Sequence, residues 1–170
     1  VSCDLEQAED RSPAHIRADV RQVLGHGWDL VIAHPPCTRL TNSGVRWLDE
    51  RNLWADMRAA CHFFNEFKNC APKVAIENPI PHKYARQQIG KYDQIIQPWQ
   101  FWHLDEPGTG EQKATCLWLH NLPKLVPTTP SEPGRKQSCW RMGPSPERTR
   151  ERSRTYLGIA DAMAEQWGSL

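Results

Sequence analysis

Short apolar runs closed by turn-forming residues alternate along the chain with stretches of helical spacing. Trp28 to Ala33 (WDLVIA) is apolar apart from Asp29 and stops at Pro35-Pro36. A near-continuous run of this kind predicts a strand buried on both faces, as in a parallel sheet. Lys73 to Ile76 predicts a second buried strand ending in Glu77-Asn78-Pro79, and Asp93 to Ile96 and Thr115 to Leu119 predict two more. Val1 to Leu5 reads as a short strand tail that ends in acid. His15 to Val20 reads as another short strand, followed by a helical turn over Arg21 to Leu24 that Gly25 and Gly27 stop. From Leu48 to Asn69 the period changes. Leu53, Met57, Ala60, Phe64 and Phe67 recur three and four apart and share one helical face. Residues 82–89 predict a short helix, and Tyr156, Ile159, Ala160, Met163 and Trp167 mark an amphipathic closing helix with Gly168 at its end. Strands alternating with helices indicate one α/β domain over residues 1–170 with a mostly parallel sheet.

Composition narrows this only in part. A chain of 170 residues is one domain long. Twenty-one bases against 20 acids leave a net charge of +1, which excludes a uniformly basic nucleic-acid coat protein and an acidic disordered tail. No apolar run approaches the roughly 18 residues of a membrane span, so no membrane partner is expected. The first ten residues carry four acids and no base, unlike an export signal. Six cysteines without a CxxC pair predict reduced thiols and no structural metal. Charge is concentrated in one place. Residues 134–154 hold seven bases and two acids on a Pro-rich, Trp-containing segment, either a solvated loop or a contact for phosphates.

Parallel α/β sheets carry their functional loops at the carboxyl ends of the strands. Three such ends stand out: His34-Pro35-Pro36-Cys37-Thr38, Glu77-Asn78-Pro79, and Asp4 with Asp19 in the following unit. Cys37, directly after a proline pair, is expected in a fixed, exposed loop, and thiolate is the strongest nucleophile among the side chains. Glu77, at the end of a buried strand, is expected to be partly desolvated and able to donate a proton. A thiol and such an acid suit conjugate addition to a pyrimidine. The sulfur attacks C6, the acid meets the N3 edge, and C5 becomes nucleophilic. A duplex base must be flipped out for this.

These residues resemble the cytosine-C5 DNA methyltransferases in a short, phage-type form. DLVIAHPPCTRLTNSG resembles the family's Pro-Cys nucleophile loop, and VAIENP its Glu-Asn strand end. IRADV and SCDLE resemble the segments whose acids read the cofactor's adenine and ribose. GEQKATCLWL is similar to the Gln-Arg-Arg strand, and RSRTYLGIADAMAEQWG to the closing helix. The resemblance implies a class I methyltransferase-like, Rossmann-like three-layer fold. It implies Cys37 as nucleophile, Glu77 as the acid at the base, and Lys113 as the positive group at the pyrimidine O2, with Thr115 where a second Arg is usual. Asp4, Asp19 and Pro35 would hold S-adenosylmethionine. The partner would be DNA, in the cytoplasm of a bacterial or phage-infected cell. Residues 121–149 would form a small recognition region, with Arg135, Lys136, Arg141 and Arg148 on DNA.

Two departures follow. The family's first strand and its Gly-rich loop have no counterpart, and the only glycine clusters, Gly25-His26-Gly27 and Gly108-Thr109-Gly110, follow no suitable strand. With no initiator Met, the expectation is that about 20 to 30 residues, a strand–loop–helix unit, precede Val1 or that a partner supplies them. The chain is then expected to bind S-adenosylmethionine weakly. The recognition region is also unusually small, which implies a short or loosely defined target. Three other readings compete. An amino-methyltransferase acting on adenine N6 or cytosine N4 would need an aromatic where Cys37 stands. A DNA-binding module could keep the fold without turnover. A Cys–His hydrolase could pair Cys37 with His34 or His82.

Overall fold

The computed structural model describes residues 1–103, 110–129, 134, 136 and 155–170. It is a mixed α/β structure with two sheets. In the smaller, β1 (Ser2–Asp4) lies parallel to β2 (His15–Arg17), with Asp4 opposite Arg17. A single helical turn at Val20–Gln22 follows, capped by the Asp19 carboxylate. The larger sheet has four strands in the order β3-β4-β6-β5: β3 (Leu30–Ala33), β4 (Lys73–Pro79), β6 (Thr115–His120) and β5 (Gln94–Ile96). β3 and β4 are parallel, and β6 pairs antiparallel to both β4 and β5. Three of the four strands therefore share a direction and β6 runs against them.

Side-chain alternation along the central strands divides the core into two layers. Val74 and Ile76 of β4, with Cys116 and Trp118 of β6, face α2 (Trp54–Glu66) and α3 (Lys83–Ile89). Ala75 and Leu117 point the other way, onto α4 (Leu157–Trp167) through Ile159, Met163 and Trp167. The Phe64 ring meets the Trp118 ring edge-on at 4.9 Å. Gly158 lets α4 close on the preceding loop, since a Cβ there would stand 2.4 Å from the Phe101 carbonyl oxygen.

Four expectations are corrected. The WDLVIA strand is shorter than its run and is not buried on both faces. β3 is an edge strand, and Ile32 is 37% exposed. The helix expected from Leu48 to Asn69 is two helices, α1 (Trp47–Glu50) and α2, because Asn52 takes a left-handed φ of 52°. β4 does not stop at Ile76 but runs through Pro79, paired with β6 from Val74 to Pro79. In the closing helix Ala160 is exposed and Ala162 takes its place in the core. Among the described residues no helix is long and apolar enough to cross a membrane.

Candidate active site

The parallel ladder between β3 and β4 ends at Ala33 opposite Ile76. The next residue on each strand is chemically active, so register alone brings His34 against Glu77. The imidazole Nδ1 donates to Glu77 Oε2 at 2.6 Å, with the His34 side chain 43% exposed and the Glu77 side chain 20%. One step further the chain meets Pro35, which rigidifies the turn out of the strand. There a side chain replaces the ladder. Buried Asn78 donates its amide Nδ2 to the Pro35 carbonyl at 2.8 Å. The other amide atom, Asn78 Oδ1, is buried with no donor among the described residues.

Beyond the prolines the loop is fixed from three sides. The Cys37 carbonyl accepts from the Leu40 and Thr41 N–H groups at 2.9 and 3.2 Å. Leu40 is fully buried, and its carbonyl accepts the His82 backbone N–H at 2.9 Å. Gly44 passes so near Thr38 that a Cβ would lie 2.8 Å from its carbonyl oxygen. Cys37 is half-buried, and its sulfur is a thiol rather than half of a disulfide. It stands two residues from the Pro35–Asn78 tether and three from the His34–Glu77 bond, at the carboxyl ends of β3 and β4.

Glu77, Lys113 and Thr115 meet His34, Tyr156, Ile159 and Met163 around one recess of about 10 Å³, room for about one water molecule. Lys113 Nζ lies 5.5 Å from the centre of the Tyr156 ring. The start of α4 thus packs over the carboxylate. A roomier hollow of about 220 Å³ lies at the opposite end of β4 and β6, beside Lys68, Asp93 and His120. Its polar groups already serve the backbone: Lys68 Nζ donates to the Ile89 carbonyl and Asp93 Oδ2 accepts from Leu119 N–H. Of the expected site residues, Glu77 and Lys113 line the smaller recess, and Cys37 is not part of its lining.

Burial separates the thiols. The Cys116 thiol, fully buried on β6, is pushed up to about 12 by desolvation and, less, by the Glu77 charge. Burial also raises Cys61 and Cys70.

Asp4 and Asp19 lie at the carboxyl ends of the adjacent strands β1 and β2, where the Asp4 carbonyl accepts from Ala18 N–H at 3.0 Å. Their carboxylates hold turns. Asp4 Oδ1 accepts from Glu6 N–H, and Asp19 accepts from the backbone and guanidinium of Arg21 at 2.9 and 3.5 Å. As a cofactor test this is half a fit. Exposed Asp4 keeps acceptor capacity for ribose hydroxyls, whereas among the described residues no glycine-rich turn after a strand receives the methionine half. No chemical step is therefore derived through that group.

His82 leaves the hydrolase reading. Its Nδ1 accepts from Ala85 N–H at the start of α3 and its Nε2 donates to the Arg39 carbonyl, so neither nitrogen is available to a thiol. Of the four basic residues assigned to DNA, only Lys136 is described. It is exposed, and its backbone bonds to Gly110 and Gln112 at 2.8 Å, next to Lys113. Arg135, Arg141 and Arg148 lie outside the described residues, as does most of 121–149. Among the described residues no cluster of His, Cys, Asp or Glu could hold a metal ion. The partnership of His34 with Glu77 was not anticipated, although both closed a predicted strand. The Tyr156 wall carried no sequence signal beyond helical spacing. No known family model matches the chain, and neither does any curated protein.

Proposed function

We propose that the chain is the catalytic part of a DNA cytosine-C5 methyltransferase, acting on a flipped-out cytosine in the cytoplasm of a bacterial or phage-infected cell. The observation that carries this reading is that Glu77 and Lys113 line one recess, while the Pro-Pro-Cys loop leaves the same end of the sheet directly after His34, which is bonded to Glu77.

In this reading Cys37 thiolate forms a bond to ring C6. The C5=C6 electron pair moves toward N3, which takes a proton at Glu77, and C5 becomes nucleophilic. Lys113 faces the carbonyl oxygen O2. S-adenosylmethionine, when bound, would supply the methyl group for C5, with Asp4 at its ribose and Asp19 and Pro35 beside it. Basic residues around Lys136 would bind phosphates, which position the duplex without reading it. Tyr156 has to draw back for a base to reach Glu77, since the recess now holds about one water molecule.

Product analysis tests the reaction class. DNA incubated with the chain and excess S-adenosylmethionine, then digested to nucleosides, is expected to contain 5-methylcytosine. N6-methyladenine or N4-methylcytosine would contradict the assignment.

A further inference from the structure

The proton that N3 takes has to come from somewhere. An ionised carboxylate only accepts hydrogen bonds. Cytosine N3 likewise presents a lone pair, so a bare Glu77 carboxylate and N3 repel each other. At 2.6 Å the contact between His34 Nδ1 and Glu77 Oε2 holds one proton. His34 is placed there by strand register and is the more exposed partner, open to exchange with solvent. The other titratable groups around the pair do not replace it. Lys113 and Tyr156 face the recess from across it and Lys113 lies against the Tyr156 ring. Cys116 is sealed in the sheet as a thiol.

We infer that His34 is a positioning residue that orients Glu77 and supplies, through it, the proton taken by N3. The inference rests on the pyrimidine reading above. As the Sγ–C6 bond forms, the one proton of the pair leaves the His34 imidazolium and passes through the Glu77 carboxylate to N3. Glu77 ends as a carboxylate and His34 as a neutral ring, and the adduct is neutral. Without a methyl donor, C5 takes a deuteron from heavy water. Reversal then removes the original C5 proton, returns the N3 proton through Glu77, and expels the thiolate, leaving deuterium at C5.

This exchange gives a test that needs no S-adenosylmethionine. The full chain is incubated in heavy water with an oligonucleotide duplex carrying an unpaired cytosine. Deuterium at C5 is followed by mass spectrometry and binding by fluorescence anisotropy. His34→Asn keeps an amide donor near the Nδ1 position but has no proton to transfer. It is expected to bind the duplex as the wild type does and to exchange about 100-fold more slowly. Exchange by His34→Asn at the wild-type rate would overturn the proton role and leave the pyrimidine reading standing. Loss of binding together with exchange would overturn it as well, since His34 would then be structural. No exchange by the wild-type chain, or exchange undiminished in Cys37→Ser, would remove the pyrimidine reading and this inference with it. If His34→Asn does not fold, the wild type decides through the long-range ¹⁵N spectrum of His34. A proton on Nδ1, displaced in Glu77→Gln, is expected, and a bare Nδ1 would overturn the inference.

Discussion

Cys37 and Cys116 show how position divides one side-chain type. Both belong to segments at the same end of the sheet, but Cys116 is packed between strands and helices while Cys37 sits half-buried on a loop. Alkylation at mild pH is expected to label Cys37 in the folded protein. Cys61 and Cys116 should label only after unfolding, which peptide mapping resolves. Cys116 also predicts a pH dependence. Its folded value is raised from 9.0 to about 12. A raised value means that the folded state favours the neutral thiol. Its contribution is complete below pH 9 and is lost as pH rises toward 12. The urea midpoint should fall across that window, and less so in Cys116→Ala; an unchanged slope in that variant would refute the assignment. These thiols were poorly legible in the sequence, which lists six cysteines without saying which lie between layers.

At the scale of elements, the strands were legible because apolar runs ending in proline or acid leave few alternatives. Their ends were not. β4 outruns its apolar run because β6, more than 30 residues away in the chain, supplies hydrogen bonds as far as Pro79. Likewise the α1–α2 break depends on one left-handed asparagine, which helical spacing cannot show. The same loss of local signal hid the Asn78–Pro35 bond, which continues the β3–β4 contact after the proline. Asn78→Ala removes a buried donor and strands the Pro35 carbonyl. It should cost about 1–3 kcal/mol in urea unfolding. The Cys37 loop should then become more open to protease than in the wild type. Cleavage at the wild-type rate would mean that the tether does not hold the loop.

At the scale of the molecule, two sheets and three layers place the carboxyl ends of β3 and β4 under the start of α4. Cys37, Glu77 and Lys113 were legible as separate motif residues. What joins Glu77 to Lys113, a register that sets Glu77 on His34 and a helix start that closes over both, arises only when distant segments meet. The central claim is that the Cys37 sulfur adds to the ring of a flipped-out cytosine. 5-Azacytosine tests it directly, because its ring captures an attacking thiolate with no methyl donor. With duplex DNA carrying that base, the account predicts a denaturation-resistant adduct whose modified peptide maps to Cys37. It should vanish in Cys37→Ser and persist in Cys61→Ser. An adduct on another cysteine, or none with the wild-type chain, would contradict the account.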